Sequence, residues 1–417
     1  MTYLIPPTHD NLPFTSPYLP PNYNFEINKT LRTIKKYKCK IVTLQFPDGL
    51  LRYAPVIIDL ITVYTDAICI ILNDVVYGAC CVDDSSIKSD LLIHYGHSCL
   101  VPVTEMSCKV LYVFVDIQID VEHLYNIIKK QFIGETEISV IGTIQFNSSM
   151  NRLKMLCVKE SNERCKNEIT SYEKNENEVD RLTCEISQNK SKNLNISNKK
   201  NENDFNNNFT ISKLNNNTEK SQNCTKVLIP QIKPLSKGEV LGCTSPKISS
   251  SIIISIGDGR FHLESVMINN PTKTFYKYCP FNKVLTREFY NYTVLLTKRQ
   301  QSIHKAMTES KTFGIILGSL GKQGNKTILN NIKNRLKNYK LYIFMMEEIT
   351  PRLLDRYPFI DSYVQISCPR LSTDWSDSFS KPLLSPFEVF YEGGDYKLDY
   401  YSNEGYGPHK NYNNVKV

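Results

Sequence analysis

Of the chain's 13 cysteines, three each follow a strand-like or turn-like stretch: Cys80 in Tyr77-Gly78-Ala79-Cys80, Cys243 in Leu241-Gly242-Cys243 and Cys368 in Ile366-Ser367-Cys368. Three reduced thiolates drawn together from distant segments can hold three irons of a [4Fe–4S] cluster and leave the fourth iron without a protein ligand. A substrate carrying an amine and a carboxylate can bind that open iron, and the cluster can pass one electron to a sulfonium and split a carbon–sulfur bond. Spacing alone leaves a second reading open. No compact cluster motif joins these residues, and free cysteine is equally a small buried hydrophobe.

Other residues compete for chemical roles. The segment 317–327, LGSLGKQGNKT, follows a strand and supplies Gly318, Gly321, Gln323 and Gly324. It resembles a phosphate-binding loop but fails the pattern, because Asn325 separates Gly324 from Lys326 where the motif requires Lys directly after the second Gly. Its backbone N–H groups at a helix start can still cradle a ligand, the alternative being a plain strand–helix turn. Asp258 and Gly259, in Gly257-Asp258-Gly259-Arg260, follow another strand and suit either close approach of a ligand or a tight turn. Arg370 stands beside Cys368, where a guanidinium can grip a carboxylate in bidentate fashion or make an ordinary ion pair. His94, His97 and Cys99 look like half a zinc site. With no second group of ligands they read as packed strand-end residues. Asp83 and Asp84, after Cys80-Cys81, face a ligand amine or cap a following helix, capping being the better fit for one of them.

The elements that must position these residues read as α/β. Apolar runs at 40–46, 67–75, 90–96 and 110–117 alternate with helix-like stretches at 27–37 and 50–64, the pattern of a buried parallel sheet. It restarts at 137–146 with a strand at 250–261, and again at 311–325, with a helix at about 326–338 and strands at 340–348 and 361–369. A tyrosine-rich strand and a helix occupy 274–310. Each restart lends one cysteine, which suggests three similar α/β units sharing one centre. The expected divisions are an extended arm at 1–24, a first unit at 25–128 with Cys80, and a second at 129–268 with Cys243. A third unit follows at 269–385 with Cys368, then an irregular tail at 386–417. Within the second unit, about 158–226 collapses to Asn, Lys, Glu and Ser and reads as a disordered insertion, too poor in apolar residues to offset chain entropy. Its Cys165, Cys184 and Cys224, and Cys157 at its border, lack Cys-x-x-Cys spacing and are poor ligand candidates.

Composition sets the remaining bounds. Hydrophobic residues at 41% support a real core, and the net charge of +8 favours an acidic partner or RNA unless it is only a solvated lysine surface. There is no basic leader followed by an apolar run and no membrane-length segment, so the chain is expected in the cytosol with its thiols reduced.

Several strings together resemble the diphthamide synthase family, the 2-(3-amino-3-carboxypropyl)histidine synthases, in the form of its first subunit. They are LPPNYNFEINKT (19–30), QFPDGLL (45–51), NDVVYGACCVDD (73–84), LLIHYGHSCLVP (91–102), KPLSKGEVLGCTSP (233–246), GDGRFHLES (257–265), YCPFNKVLTREFY (278–290), LGSLGKQGN (317–325), VQISCPRLSTDW (364–375) and KPLLSPFE (381–388). The likeness runs from about 19 to 408 apart from the insertion. Where the family often carries Glu this chain has Asp48, and where it often carries Asp-Pro-Tyr the chain has Cys279-Pro280-Phe281.

The resemblance implies three Rossmann-like units around a pseudo-threefold axis, with Cys80, Cys243 and Cys368 as cluster ligands and Cys81 not a ligand. It implies an enzyme, an S-adenosylmethionine-dependent 3-amino-3-carboxypropyl transferase. In the implied reaction the cluster breaks the Cγ–S bond and the released radical adds to C2 of one histidine in elongation factor 2. Imidazole C2 is a poor nucleophile, so radical addition suits it better than polar displacement. Implied partners are a related sister subunit, the elongation factor as substrate and a small metal-binding electron donor, with neither a membrane nor direct nucleic acid. The sister subunit lacks the middle cysteine, so the full trio here favours a catalytic subunit over a non-catalytic scaffold.

Overall fold

The structure, a computed structural model, describes residues 16–72, 78–135, 137–160, 225–403 and 405. Three sheets built mainly of parallel strands organise them. The first runs, in spatial order, Ile68–Leu72, Ile41–Gln45, Leu91–Tyr95 and Lys109–Val113, all parallel. The third runs Lys340–Met346, Thr312–Gly318, Ser362–Ile366 and Leu383–Leu384, also all parallel. The second has the same order, Lys226–Leu228, Glu137–Gly142, Ile252–Ile256 and Thr274–Cys279, with Val284–Glu288 added antiparallel at its edge. In each sheet the first strand in sequence lies between the second and the third, the arrangement that brings the carboxyl ends of neighbouring strands to one crevice.

Apolar continuity explains why these segments pair centrally. Leu91–Tyr95 and Ile252–Ile256 are buried at every position, as strands covered on both faces must be. Helices cover them with amphipathic stripes; Ile27–Tyr37 buries Ile27, Thr30, Leu31 and Ile34 and carries Lys35 and Lys36 in its last turn, where cations suit the helix dipole. Each fully buried Leu or Ile on these faces contributes about 1.5–3 kcal/mol.

The structure corrects several sequence expectations. The helix expected over 50–64 is two pieces, Asp48–Leu51 and Ala54–Tyr64, since Pro55 fits the first turn of a new helix and not a helix interior. The strand expected over 137–146 ends at Gly142, and after a short turn a helix occupies 147–160. Residues 158–160, at the border of the expected insertion, are the last described residues of that helix. Residues 161–224, with Cys165, Cys184 and Cys224, lie outside the described residues, while Cys157 is buried in the second core. The arm's end is not merely extended, because Tyr23–Asn24 pairs with Asp116–Ile117.

Unit boundaries shift for the same reason, burial. The helix Val121–Gln131 crosses the expected boundary at 129 and packs Val121, Leu124 and Ile128 into the second core. The strands Thr274–Cys279 and Val284–Glu288 pair with the second sheet, so that unit runs past 269. Beyond 385 the chain is irregular only in part. Pro386–Val389 is a helix with a capping box from Ser385 and Glu388, and the stretch after it returns to the second unit, where the Asn269 amide donates to the Leu398 carbonyl at 3.2 Å.

Candidate functional site

The three cysteines follow parallel pairing in the chain, Cys368 and Cys80 after strands and Cys243 after an isolated parallel bridge. Cys368 lies two residues past Ser362–Ile366, and Cys80 follows Ile68–Leu72. Cys243 sits in a tight reversal closed by the Leu241 N–H donating to the Thr244 carbonyl at 2.9 Å, just after Glu239 bridges in parallel to Gly142. Cys80 and Cys243 share one apolar cluster with Ala79, Leu100, Leu235, Leu241, Tyr400 and Tyr401. The Tyr400 N–H donates to the Cys243 carbonyl at 2.8 Å, so the C-terminal stretch covers the site.

The glycine-rich loop of the third unit docks on the Cys80 loop of the first. The Lys322 N–H donates to the Cys80 carbonyl at 2.9 Å, and the Lys322 ammonium pairs with Asp84 at 2.8 Å. The Gln323 amide donates to the sulfurs of both Cys80 and Cys81 at 3.5 Å, and those two sulfurs are 3.9 Å apart. Gly318, Gly321 and Gly324 are crowded by protein. A Cβ would stand 2.8 Å from the Ser367 side chain at Gly318, 2.6 Å from the Cys81 Cα at Gly321, and 2.3 Å from the Gly318 carbonyl oxygen at Gly324. These glycines permit close packing between units, and the loop does not form the open cradle a phosphate needs. Gly259 differs, with nothing within 4 Å of a Cβ built on it, and Asp258 beside it is exposed.

Arg370 lies by Cys368 but is committed to protein. Its Nε donates to Asp374 at 2.7 and 2.9 Å, one terminal nitrogen donates to the Gly242 and Phe261 carbonyls at 3.1 and 2.9 Å, and the other pairs with Glu264 at 2.6 Å. It also stacks 4.4 Å from the Phe261 ring centroid. Of five guanidinium N–H groups this leaves one for anything else, so Arg370 acts as a clamp between the Cys368 and Cys243 loops.

The thiols act on one another electrically. The hydrogen bond from Cys81 pulls the Cys80 thiol down to about 7 against the effect of burial, with Gln323 and Tyr401 assisting. Burial pushes Cys368 up to about 12, and the charge of Cys80 adds to it. Cys243 is likewise raised well above its ordinary value, by burial and then by Cys368 and Cys80. Two thiols that resist ionising for want of a cation, beside one already eased towards its thiolate, are what a polymetallic centre relieves, since a coordinated thiol is deprotonated outright. Among the described residues no group of three His, Cys, Asp or Glu is gathered as for a single ion. Cys80, Cys243 and Cys368 are a donor set that could hold a [4Fe–4S] cluster.

Asp83 and Asp84 serve the loop itself, Asp83 accepting from the Ser86 N–H at 2.9 Å and Asp84 holding Ser107 and Lys322. The half-site of His94, His97 and Cys99 does not assemble. His94 is buried and His97 packs 5.3 Å from it, centroid to centroid, but Cys99 is exposed. Sequence reasoning assigned no role to Gln45, Gln145 or Glu239, which stand at or beside strand ends; for Gln45 a polar residue closing an apolar strand was the available signal.

Comparison with known proteins follows this geometry. The sequence profile of the diphthamide synthesis proteins matches residues 46–215 and 203–402. The chain is 52% identical to the 2-(3-amino-3-carboxypropyl)histidine synthase subunit 1 of Encephalitozoon cuniculi, over 95% of this chain and 96% of that one. It is 41% identical to the protein of the same name from Yarrowia lipolytica (93% and 78% covered) and 38% identical to that from Caenorhabditis elegans (95% and 88%). A crystal structure of Dph2 from Pyrococcus horikoshii with a 4Fe-4S cluster superposes with a TM-score of 0.61 at 23% identity, covering 92% of this chain and 95% of that one.

Proposed function

The chain belongs to the family of diphthamide synthesis proteins, and from that premise we propose that it is the cluster-bearing subunit that transfers the 3-amino-3-carboxypropyl group of S-adenosylmethionine to C2 of a histidine in elongation factor 2. That is the first step of diphthamide formation. The observation that carries the reading is that Cys80 and Cys243 share one apolar cluster while Arg370 ties the Cys368 loop to the Cys243 loop. The common strand order of the sheets supports three Rossmann-like units arranged about that centre.

When bound, a [4Fe–4S] cluster supplies the single electron that cleaves the sulfonium. The chain's own residues prepare the place. Gln323 steadies the Cys80 thiolate by donating to it, and Arg370 ties the loops of Cys243 and Cys368 into one frame. Leu100, Leu235, Tyr400 and Tyr401 wall the site against water, which protects a reactive carbon radical from side reactions. The sister subunit, the elongation factor and a small metal-binding electron donor complete the assembly in the cytosol.

The deciding experiment is anaerobic co-expression with the sister subunit, chemical reduction, incubation with S-adenosylmethionine and elongation factor 2, and mass spectrometry of the histidine peptide. The expected result is one 3-amino-3-carboxypropyl addition on histidine with release of methylthioadenosine. A protein that carries iron and sulfide yet leaves the peptide unmodified would refute the assignment.

A further inference from the structure

Buried acceptors without donors gather where the first two sheets meet. His94 Nδ1 lies 3.1 Å from Gln45 Oε1, an oxygen that also accepts from the Asp83 N–H at 3.3 Å. Nδ1 must therefore carry the proton, and Nε2 is left as a lone-pair acceptor. That Nε2 is buried without a partner, as are Gln145 Oε1 and Glu239 Oε1; the His97 ring beside them is held by the Tyr95 backbone. Gln145 spends its amide N–H on the Gly96 carbonyl at 2.7 Å, so its oxygen too can only accept. Gly96 separates Tyr95 from His97 in the turn after the strand Leu91–Tyr95. The Ser98 hydroxyl, in that turn, acts on Glu239. Leu100 then enters the wall shared by Cys80 and Cys243.

Glu239 is the informative member. It is 1% exposed, its Oε2 accepts from the Ser236 N–H at 3.0 Å, and it has no ion pair with any described Lys, Arg or His. Burial pushes its carboxyl upward, against the pull of the Ser236 N–H on Oε2 and of the nearby Ser98 hydroxyl. A buried carboxylate without a cation costs several kcal/mol, and among the described residues no Lys, Arg or His pairs with it. The imidazoles nearby are not cations, since burial holds His97 at about 4, with His262 next in effect, and burial lowers His94 further. A site that presents lone pairs and one carboxylate is complementary to a polyatomic cation bearing N–H groups. It does not suit an anion, and among the described residues the ligands are not grouped as for one metal ion.

We propose that His94, His97, Gln145 and Glu239 form the subsite for the α-ammonium group of the amino-acid co-substrate, with Glu239 as its counter-charge. The proposal rests on the functional reading above and adds which residues hold the aminopropyl end. It places the cationic group at the carboxyl ends of the strands, beside the wall of Cys80 and Cys243.

The test uses the cluster-loaded complex and Glu239→Gln, which keeps shape and the bond from Ser236. Equilibrium dialysis compares S-adenosylmethionine with methylthioadenosine, which lacks the ammonium. Loss of one charge-assisted hydrogen bond should weaken S-adenosylmethionine about 10- to 100-fold and leave methylthioadenosine unchanged. Thermal unfolding gives a second readout. Without ligand the variant should melt at the same or a higher temperature than the parent, and the rise caused by S-adenosylmethionine should disappear. Equal weakening of both ligands, unchanged affinity, or a lower ligand-free melting temperature would each overturn the Glu239 assignment alone. Failure of the parent protein to bind S-adenosylmethionine would overturn the functional reading and this subsite with it.

Discussion

Gly321 lies directly against Cys80: a Cβ built on the glycine would stand 2.7 Å from the Cys80 carbonyl oxygen, the same oxygen that accepts from the Lys322 N–H at 2.9 Å. The third unit thus reaches the cysteine loop of the first through a position with no room for a side chain and with φ of 55°, a left-handed conformation.

The first prediction concerns this contact. Gly321→Ala should cost about 2 kcal/mol or more, the left-handed conformation contributing about 1–2 kcal/mol and the clash with backbone the rest. Gly134→Ala is the control. Gly134 has φ of 88° and nothing within 4 Å of a built Cβ, so it carries only the conformational part. Urea unfolding of both variants, with iron content measured after anaerobic reconstitution, separates the two effects. Equal losses in stability with full iron retention in both would mean that the Gly321 contact does not organise the site.

Three cysteine variants test the ligand assignment. Cys243→Ser should abolish iron loading with the melting temperature of the iron-free chain nearly unchanged, because the serine keeps the size of a group the fold already encloses. Cys80→Ser should do the same. Cys81→Ser should retain iron, since Cys81 acts on Cys80 by a hydrogen bond. Visible absorption and iron-to-protein ratios measure all three. Iron retained in Cys243→Ser, or lost in Cys81→Ser as completely as in Cys80→Ser, would reverse the assignment.

The sequence exposed the sheets because their central strands are unbroken apolar runs, and Ile252–Ile256 can only be a covered strand. It exposed the positions of Cys80, Cys243 and Cys368 because each follows such a run. The helix 147–160 was hidden because its buried members, Met150, Leu153 and Cys157, stand next to a polar insertion that dilutes the pattern. Arg370 was legible as a residue near Cys368. Its commitment to Glu264 and Gly242 was not, since those partners lie over a hundred residues away, at separations of 106 and 128. Glu239 and Gln145 were invisible for a related reason. A single polar residue acquires meaning only when burial removes its alternatives.

Acid should weaken the junction of the first and third units. Burial alone would raise Asp84, but the Lys322 ammonium and the Ser107 N–H outweigh it and hold the carboxyl below its usual range. A carboxyl lowered in the folded state contributes stability above its unfolded value of about 3.9 and loses it as pH falls through the lower folded value. Stability should therefore be flat in this contribution above about pH 5 and decline below about pH 4. Lys322→Met should cost about 1–2 kcal/mol at neutral pH, the ammonium being partly exposed. The variant should also lose less stability than the parent on acidification. Urea midpoints of both proteins from pH 7 to pH 3 supply the measurement; parallel curves would show that the pair does not stabilise the junction.

Arg370 distinguishes a clamp from a ligand-binding residue. Its guanidinium reaches Asp374, Glu264 and the Gly242 and Phe261 carbonyls at once, while its face covers Phe261. A lysine ammonium is a point charge with three donors and no flat face, so it cannot reproduce this set. Removing one partner of a buried ion pair strands the other, at a cost of about 3–5 kcal/mol. Glu264 and Asp374 are partly solvated, with side chains 23% and 26% exposed, so Arg370→Lys should cost nearer 2 kcal/mol. Since Gly242 precedes Cys243 and Cys368 lies two residues before Arg370, the variant should also lose iron faster under a chelator. If Arg370 instead gripped the co-substrate carboxylate, the variant would keep its urea midpoint and its iron and show only a weaker Kd for S-adenosylmethionine. Unfolding, chelator kinetics and dialysis on one preparation decide between the two roles, and the geometry predicts that the first two change.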